Sequence, residues 1–168
     1  VETIRVGDEP GDIVFAGRPQ RAFVSLMTDR KVQVIDPVTR RLLGSVPVFG
    51  DDPRALLASS DGQTVWVAMT RSGNGTTVVP HTIAPLPPPP SNPALPRAPR
   101  QGIIVSSDDP AWKSQLNVTL PDYDVVEIDV ASLQVRRNYP GVGTILFQMA
   151  SRPGTDELWV ANTHARNL

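Results

Sequence analysis

The chain has 168 residues, including 18 Pro and 12 Gly, and this share of turn-forming residues argues against long helices. Sixteen Lys and Arg against seventeen Asp and Glu give a formal net charge of -1, so no global field favours binding to nucleic acid or to an anionic membrane. No apolar run approaches the roughly 20 residues of a membrane span. The absence of Cys excludes disulfides, thiolate metal sites, thiol nucleophiles and Cys-x-x-Cys-His haem attachment on this stretch.

The first part of the chain predicts short β-strands in succession. Apolar β-branched residues alternate with polar ones, as at Val32 and Val34, which is the period of a strand. Gly and Pro turns separate the predicted strands. Residues 3–6 predict one strand, and four more follow near residues 13–16, 21–26, 31–36 and 41–48.

The same pattern then returns along the chain. Val6-Gly7-Asp8-Glu9-Pro10 reappears 43 positions later as Phe49-Gly50-Asp51-Asp52-Pro53, and Phe23 corresponds to Trp66 at the same spacing. A third copy places Trp159 at 93 positions after Trp66. Repetition of a four-stranded unit every 43 residues predicts stacked antiparallel sheets, with Trp66 and Trp159 as core anchors.

An inserted segment, residues 70–121, differs in composition from the repeats around it. Nine of the prolines lie between Pro80 and Pro99, a composition that favours polyproline II and cannot supply the amides of a sheet ladder. The simpler interpretation is a stiff loop that packs along the surface of the chain. The alternative is an arm that docks into a proline-recognising groove of a partner. Residues 102–106 predict one short strand inside it.

Three features of the repeat resemble the YVTN β-propeller family of bacterial surface-layer-like and periplasmic proteins. They are the Gly-Asp-x-Pro turn, the turn at Ser60-Asp61-Gly62, and a tetrapeptide found as Trp159-Val160-Ala161-Asn162 and more loosely at Trp66 and Phe23. The resemblance implies an all-β partial β-propeller of four-stranded antiparallel blades, about 2.7 of them, where a closed ring takes four to eight.

The count of about 2.7 blades divides the chain into parts of a ring. We expect a piece of a longer polypeptide whose remaining blades pack against these residues. The predicted parts are the last strand of a preceding blade (1–6), a first blade (7–48), a second blade (49–139) that carries the Pro-rich insertion (70–121), and an incomplete third blade (140–168).

One end of the predicted blades is the candidate binding surface, which we call the loop face. In an antiparallel blade, the loop between the second and third strands lies at the same end as the loop that enters the next blade, and the insertion leaves from that end too. Asp51 and Asp52 are oxygen donors of the kind that Ca²⁺ uses, but no calcium-binding loop surrounds them, so we predict no metal site and no catalytic residue. The candidate binding residues are Asp8, Asp51, Asp52, Arg54, His164 and Arg166.

A second group of acidic residues lies just after the insertion, at Asp122, Asp124, Glu127 and Asp129. Asp129 corresponds to Asp36, where a strand ends in a turn. We therefore interpret this group as structural, because aspartates at such positions bond to the backbone of the turn.

Several functions remain open at this stage. The resemblance implies a non-catalytic scaffold, periplasmic or extracellular, that binds a protein or small-molecule ligand at the loop face. The insertion and residues 163–167 are also similar to large bacterial propeller proteins with c-type cytochrome modules, which implies haem elsewhere in the parent chain and no cofactor on this stretch. The alternative is a lactonase-like propeller hydrolase with its site at the same face, although fold analogy says little about chemistry. No nucleic acid partner and no membrane span are expected.

Overall fold

The computed structural model describes residues 2–73, 75–116, 123–155 and 157–163, and these residues are organised as two compact units. The blade unit comprises 2–73, 123–155 and 157–163, and the insertion unit comprises 75–116. Within these ranges no helix has the length and hydropathy needed to cross a bilayer. The strands are β1 (Pro10–Ala16), β2 (Arg21–Leu26), β3 (Lys31–Ile35), β4 (Leu42–Pro47), β5 (Asp51–Ala58), β6 (Thr64–Arg71), β7 (Thr76–Val79), β8 (Ile103–Ser106), β9 (Val125–Asp129), β10 (Gln134–Tyr139), β11 (Ile145–Ser151) and β12 (Leu158–Thr163).

The first sheet of the blade unit is an antiparallel meander in the order β1-β2-β3-β4. Its strands match the alternating segments of the sequence, and the all-β fold class with four-stranded antiparallel blades is confirmed. β1 begins at Pro10 rather than near Ile13, because pairing with β2 continues through a bulge to Pro10 opposite Leu26. The alternation of apolar and polar residues therefore positions the strands, while the bulge decides where the first one starts.

The second sheet repeats the first, residue for residue. β5, β6, β9 and β10 pair antiparallel in the same order, and the pair Ala22–Ile35 of the first sheet has its counterpart in Val65–Ile128 of the second. The hairpin β11–β12 joins this sheet through one pair, Ile145 with Arg71. The insertion thus separates β6 from β9 in the chain without disturbing their register.

Each first strand carries a β-bulge at the same position of the repeat, beginning at Pro10, Pro53 and Leu146. At the first bulge, the Asp12 carboxylate accepts the Leu56 amide N–H at 2.9 Å, which joins β1 to β5. Beside it the Ser25 hydroxyl donates to the Arg54 carbonyl at 2.7 Å. Bulges re-aim side chains and here let two polar groups bond the neighbouring sheet.

The main core lies between the first and second sheets. Phe23, Val32 and Val34 of the first sheet pack with Val67 and Ile128 of the second, and all five side chains are fully buried. Complete burial of one such side chain stabilises a fold by about 1.5–3 kcal/mol. A second cluster joins the second sheet to the β11–β12 hairpin, around Ala68, Val125 and Leu146.

The prediction that Trp159 is a core anchor is wrong. Phe23, Trp66 and Trp159 share one position of the repeat, but Phe23 is fully buried, Trp66 is half-buried and Trp159 is 63% exposed. Each of these side chains lies on the face of its sheet that meets the following sheet, so burial depends on that sheet. The described residues place no sheet beyond β12.

Residues 3–6, predicted as the last strand of a preceding blade, pair with no strand among the described residues, and their assignment to such a blade stays a prediction. Val6 instead packs against a third apolar cluster on the outer face of the first sheet, formed by Ala22, Val24, Leu26 and Ile35. A strand needs backbone hydrogen bonds to a neighbouring strand, whereas an apolar side chain needs only an apolar surface to pack on. Val6 therefore buries its side chain without backbone pairing to a strand.

The insertion unit is a small structure around the hairpin β7–β8. Val79, Ala84 and Val105 form its core, with Trp112 and Leu116 packed against them. Residues 91–102 are exposed throughout, so this part of the Pro-rich segment does not pack onto the core of its own unit. The strand predicted at 102–106 is present as β8.

Candidate functional site

The loop face is formed by the turns between second and third strands and the segments that enter first strands. The Thr28 hydroxyl, in the β2–β3 turn, donates to the Glu9 carboxylate at 2.6 Å, and the Met27 amide donates to the Glu9 carbonyl at 3.0 Å. The two kinds of loop are therefore in direct contact, because successive turns of an antiparallel meander alternate between its ends.

An ion pair crosses from the first blade to the second at this face. Arg30 of the β2–β3 turn contacts the Asp51 carboxylate at 2.5 Å, and the Asp51 side chain is 24% exposed. The Arg30 carbonyl also accepts the Val48 amide at 3.0 Å, which holds the turn against the segment leading to β5. The partial burial of Asp51 makes this pair stronger than a fully solvated one.

A second pair lies beside the first, between Asp52 and Arg71 at the open end of the β5–β6 hairpin. Nε and Nη2 of Arg71 donate to Asp52 Oδ2 at 2.7 and 2.6 Å. The hydrogen bond with Asp52 raises the pKa of the Arg71 guanidinium. Two donors on one carboxylate oxygen fix the arginine more firmly than a single contact would.

Asp8 belongs to a separate group on the first blade. Its backbone N–H donates to the Asp29 carboxylate at 3.3 Å, and Lys31 pairs with the same carboxylate oxygen at 3.0 Å. The hydrogen bond from Lys31, followed by the one from the Asp8 amide, holds the pKa of Asp29 below its ordinary value. The Asp8 side chain itself is exposed.

The backbone of the loop face is held in left-handed conformations at three non-glycine residues. The φ angles are 48° at Glu9, 51° at Arg30 and 53° at Asp52. Glu9 and Asp52 occupy the same place in Gly-Asp-x-Pro, so this conformation belongs to the repeat rather than to one binding site. Loops fixed in this way present their side chains with little freedom to rearrange.

The structure brings only some of the predicted binding residues together. Asp51 and Asp52 lie in one cluster with Arg30 and Arg71, while Arg54 extends exposed from β5. Two further predicted residues, His164 and Arg166, lie outside the described residues. Arg30 and Arg71 were not among the predicted binding residues. Arg30 lies in the turn that follows the second strand of the first sheet, and Arg71 ends the second strand of the second sheet, so their places in the repeat indicate the loop face.

The cluster formed by Arg30, Asp51, Asp52 and Arg71 consists of two ion pairs whose carboxylates are adjacent in the chain, and we call it the charge row. Each carboxylate is already paired with an arginine, so the charges of the row partly offset one another. Among the described residues, no three His, Asp or Glu side chains gather closely enough to hold a metal ion. Such a row suits recognition of a charged or polar surface more than proton transfer.

The acidic residues after the insertion have structural partners in the structure. Asp124 is fully buried, and its carboxylate accepts hydrogen bonds from the Ser72 hydroxyl and from the amides of Val142 and Gly143. Asp129 accepts the Ser132 amide and pairs with Arg136. Tyr139 donates its hydroxyl to Glu127 at 2.6 Å, which raises the pKa of the tyrosine, and Asp122 lies outside the described residues.

No protein-family model matches this chain, and no curated protein matches it. Among solved structures, the chain is similar to hydrazine synthase of Kuenenia stuttgartiensis, with 13% sequence identity and a TM-score of 0.39. The match covers 90% of this chain and spans 41% of the hydrazine synthase chain.

Proposed function

We propose that this chain is a segment of a periplasmic or extracellular YVTN-like β-propeller that acts as a binding scaffold. Further blades of the parent chain cover its two outer sheet faces, and a protein or small-molecule partner binds at the loop face. The charge row supplies the polar contacts of that interaction.

The observation that carries the proposal is the burial of equivalent residues in successive sheets. Leu56, on the face of the second sheet that meets the first, is 3% exposed. Its counterpart in the first sheet, Ile13, is 52% exposed, and Trp159 at the other end is 63% exposed, although its counterpart Phe23 is buried. Apolar faces of this kind favour a neighbouring sheet, and the core between the first two sheets shows the packing such a sheet would use.

The loop face supports a scaffold role because its charges are positioned before any partner arrives. Arg30 bridges two blades, and Arg71 donates through two nitrogens to one carboxylate oxygen of Asp52. A partner that meets this row gains charge complementarity without paying to order the side chains. A hydrolase at the same face would first have to separate Asp51 and Asp52 from their arginines.

The coding sequence on both sides of these residues tests whether the chain is a segment of a closed propeller. We expect further Gly-Asp-x-Pro turns at the 43-residue spacing, enough to make four to eight blades in all. Flanking sequence without the repeat would overturn the proposal of a propeller segment.

Charge reversal tests the binding role separately. Three forms of the tagged parent protein are compared: wild type, the double variant R30E/R71E, and the control R97E in the exposed part of the insertion. Each is chemically cross-linked, and the cross-linked partners are identified by mass spectrometry. We expect cross-links from the loop face to a partner that R30E/R71E abolishes and R97E retains. Identical cross-links in all three proteins would contradict a role for the charge row.

We further propose that the parent protein has a redox role with c-type haem outside these residues, as the resemblance implies, and this part has its own test. If the parent protein carries c-type haem, its coding sequence contains Cys-x-x-Cys-His outside these residues, and the purified parent protein shows a haem absorbance band. Fractionation of cells tests the location, since a periplasmic or extracellular protein leaves the cytoplasmic fraction. A parent sequence without the haem motif would remove the redox part of the proposal and leave the scaffold part standing.

A further inference from the structure

A groove of about 510 Å³ opens at the end of the blade unit opposite the loop face. We call it the turn-end groove, because it lies where the β1–β2, β5–β6 and β9–β10 turns meet. Its volume is in the range of small-molecule sites. The residues that matter for its chemistry are Gly17, Arg18, Arg21, Asp61, Gly62 and Asp129.

Two glycines bring the turns together and leave the groove open. The Gly17 amide donates to the Gly62 carbonyl at 2.9 Å, and both residues have left-handed φ angles, 88° and 72°. A Cβ at Gly17 would lie 2.9 Å from Val130 Cγ1. Close approach of the two sheets at this point therefore requires glycine, and the missing side chains leave space beside it.

The acidic residues of the groove are already engaged. Asp61 accepts the Ser59 hydroxyl at 2.6 Å and the Gln63 amide at 2.9 Å, and the Ser59 bond holds the pKa of Asp61 below its ordinary value. Asp129 is bonded to Ser132 and paired with Arg136. Both carboxylates thus have donors of their own.

The two arginines of the groove, in contrast, still have donors available. Arg21 Nη1 donates to the Val130 carbonyl at 2.9 Å, which orients the guanidinium and uses one of its terminal nitrogens. Arg18 is exposed and has no hydrogen-bond or ion-pair partner among the residues that the structure describes. The groove therefore offers one positioned guanidinium and one available guanidinium.

Comparison with the next repeat shows that blade packing does not need these arginines. At a spacing of 43 positions, Arg18 corresponds to Asp61 and Arg21 to Thr64. In the equivalent groove, between the second sheet and the β11–β12 hairpin, Asp61 and Thr64 occupy these two places, and the groove measures about 210 Å³. Arg152 of the β11–β12 turn also lines it and is paired with Glu157. The corresponding turns of the second sheet and the hairpin thus pack with an acid and a hydroxyl at the two places that Arg18 and Arg21 occupy, and the guanidinium of Arg152 is already paired.

We propose that the turn-end groove binds a small organic anion through Arg18 and Arg21. Guanidinium groups present paired N–H donors that match the oxygens of a carboxylate or a phosphate. Asp61 takes both of its side-chain hydrogen bonds on Oδ1, so its other oxygen is an acceptor for a hydroxyl group on the same ligand.

Calorimetric titration of the chain at low ionic strength with malate, a hydroxylated dicarboxylate, and with inorganic phosphate tests this site. We expect saturable binding at millimolar concentrations or below. Tighter binding of malate identifies a carboxylate ligand, and tighter binding of phosphate identifies a phosphorylated one. No saturable binding of either anion would overturn the proposal.

Variants decide whether the arginines carry the binding. R18Q is expected to weaken it at least about 10-fold, the loss of one charge-assisted bond. The double variant R18D/R21T introduces the residues of the next repeat, so it should fold and lose binding. R97Q, in the insertion unit, should bind as wild type does. Unchanged affinity in R18Q would overturn the proposal even if the double variant failed to fold.

Discussion

Phe23 and Trp159 occupy the same position of the repeat, yet Phe23 is fully buried and Trp159 is 63% exposed. Trp66, at the position between them, is half-buried against the β11–β12 hairpin. The three residues belong to strands with the same pairing register, so the difference does not arise within the sheets. It arises from what each sheet packs against.

Alanine at these two positions should therefore have unequal effects. F23A is expected to lower the free energy of unfolding by about 3–5 kcal/mol, because it leaves a cavity in the main core. In this chain by itself, where Trp159 lies on an open face, W159A should change it by less than about 0.5 kcal/mol, as an exposed substitution does. Urea denaturation followed by circular dichroism measures both values. Equal losses would mean that Trp159 is covered in solution.

The buried Asp124 carboxylate should be a larger contributor to stability than its size suggests. D124A leaves the Ser72 hydroxyl and two amides without an acceptor in a buried place, and we expect a loss of about 1–3 kcal/mol. S72A removes one donor only and should cost about 1 kcal/mol. The two variants are compared by urea denaturation, and a D124A loss no larger than that of S72A would contradict this role.

Glycine should be required more strictly at Gly17 than at Gly154. Both have left-handed φ angles, 88° and 75°, so alanine at either costs about 1–2 kcal/mol of backbone strain. A Cβ at Gly17 also meets Val130, whereas at Gly154 nothing lies within 4 Å. Thermal denaturation should therefore show a lower melting temperature for G17A than for G154A. The reverse order would show that the first sheet can move away from Val130.

Asp129 should make stability depend on pH in the acid range. Hydrogen bonds from the Ser132 amide and hydroxyl hold its pKa below the ordinary value of 3.8. The stabilisation is therefore fully present above pH 3.8 and is lost as the pH falls through the depressed pKa of the folded state. D129N should melt below wild type at neutral pH, and the two should converge in strong acid.

The control for this effect is S132A, which removes the hydroxyl donor and retains the amide. It should show a smaller version of the same pH dependence. A constant difference in melting temperature between wild type and D129N down to strong acid would contradict the linkage.

The sequence predicted where the acidic residues of the candidate site lie, but not which side chains they pair with. The places of Asp51 and Asp52 follow from the repeat, since Gly-Asp-x-Pro must enter a first strand. Their pairing with Arg30 and Arg71 depends on how two turns approach each other in space. A spacing along the chain predicts which end of a sheet a residue occupies, but not which side chain it contacts there.

The turn-end groove shows the same limit. Gly17 and Gly62 are recognisable as turn residues, but the bond between them joins two sheets that the sequence relates only by a period. Nothing in the local pattern around Arg18 or Arg21 indicates a cavity. Its existence depends on the closeness of the two turns.

The amino-acid sequence by itself determined the strands, their antiparallel order and the repeat, because alternation and turn chemistry act over a few residues and recur at a constant spacing. Only the tertiary structure decided which equivalent residues are buried, which charges pair and where a groove opens. Those properties depend on the neighbouring sheet, and identical positions such as Phe23 and Trp159 differ because one has such a neighbour and the other lies on an open face.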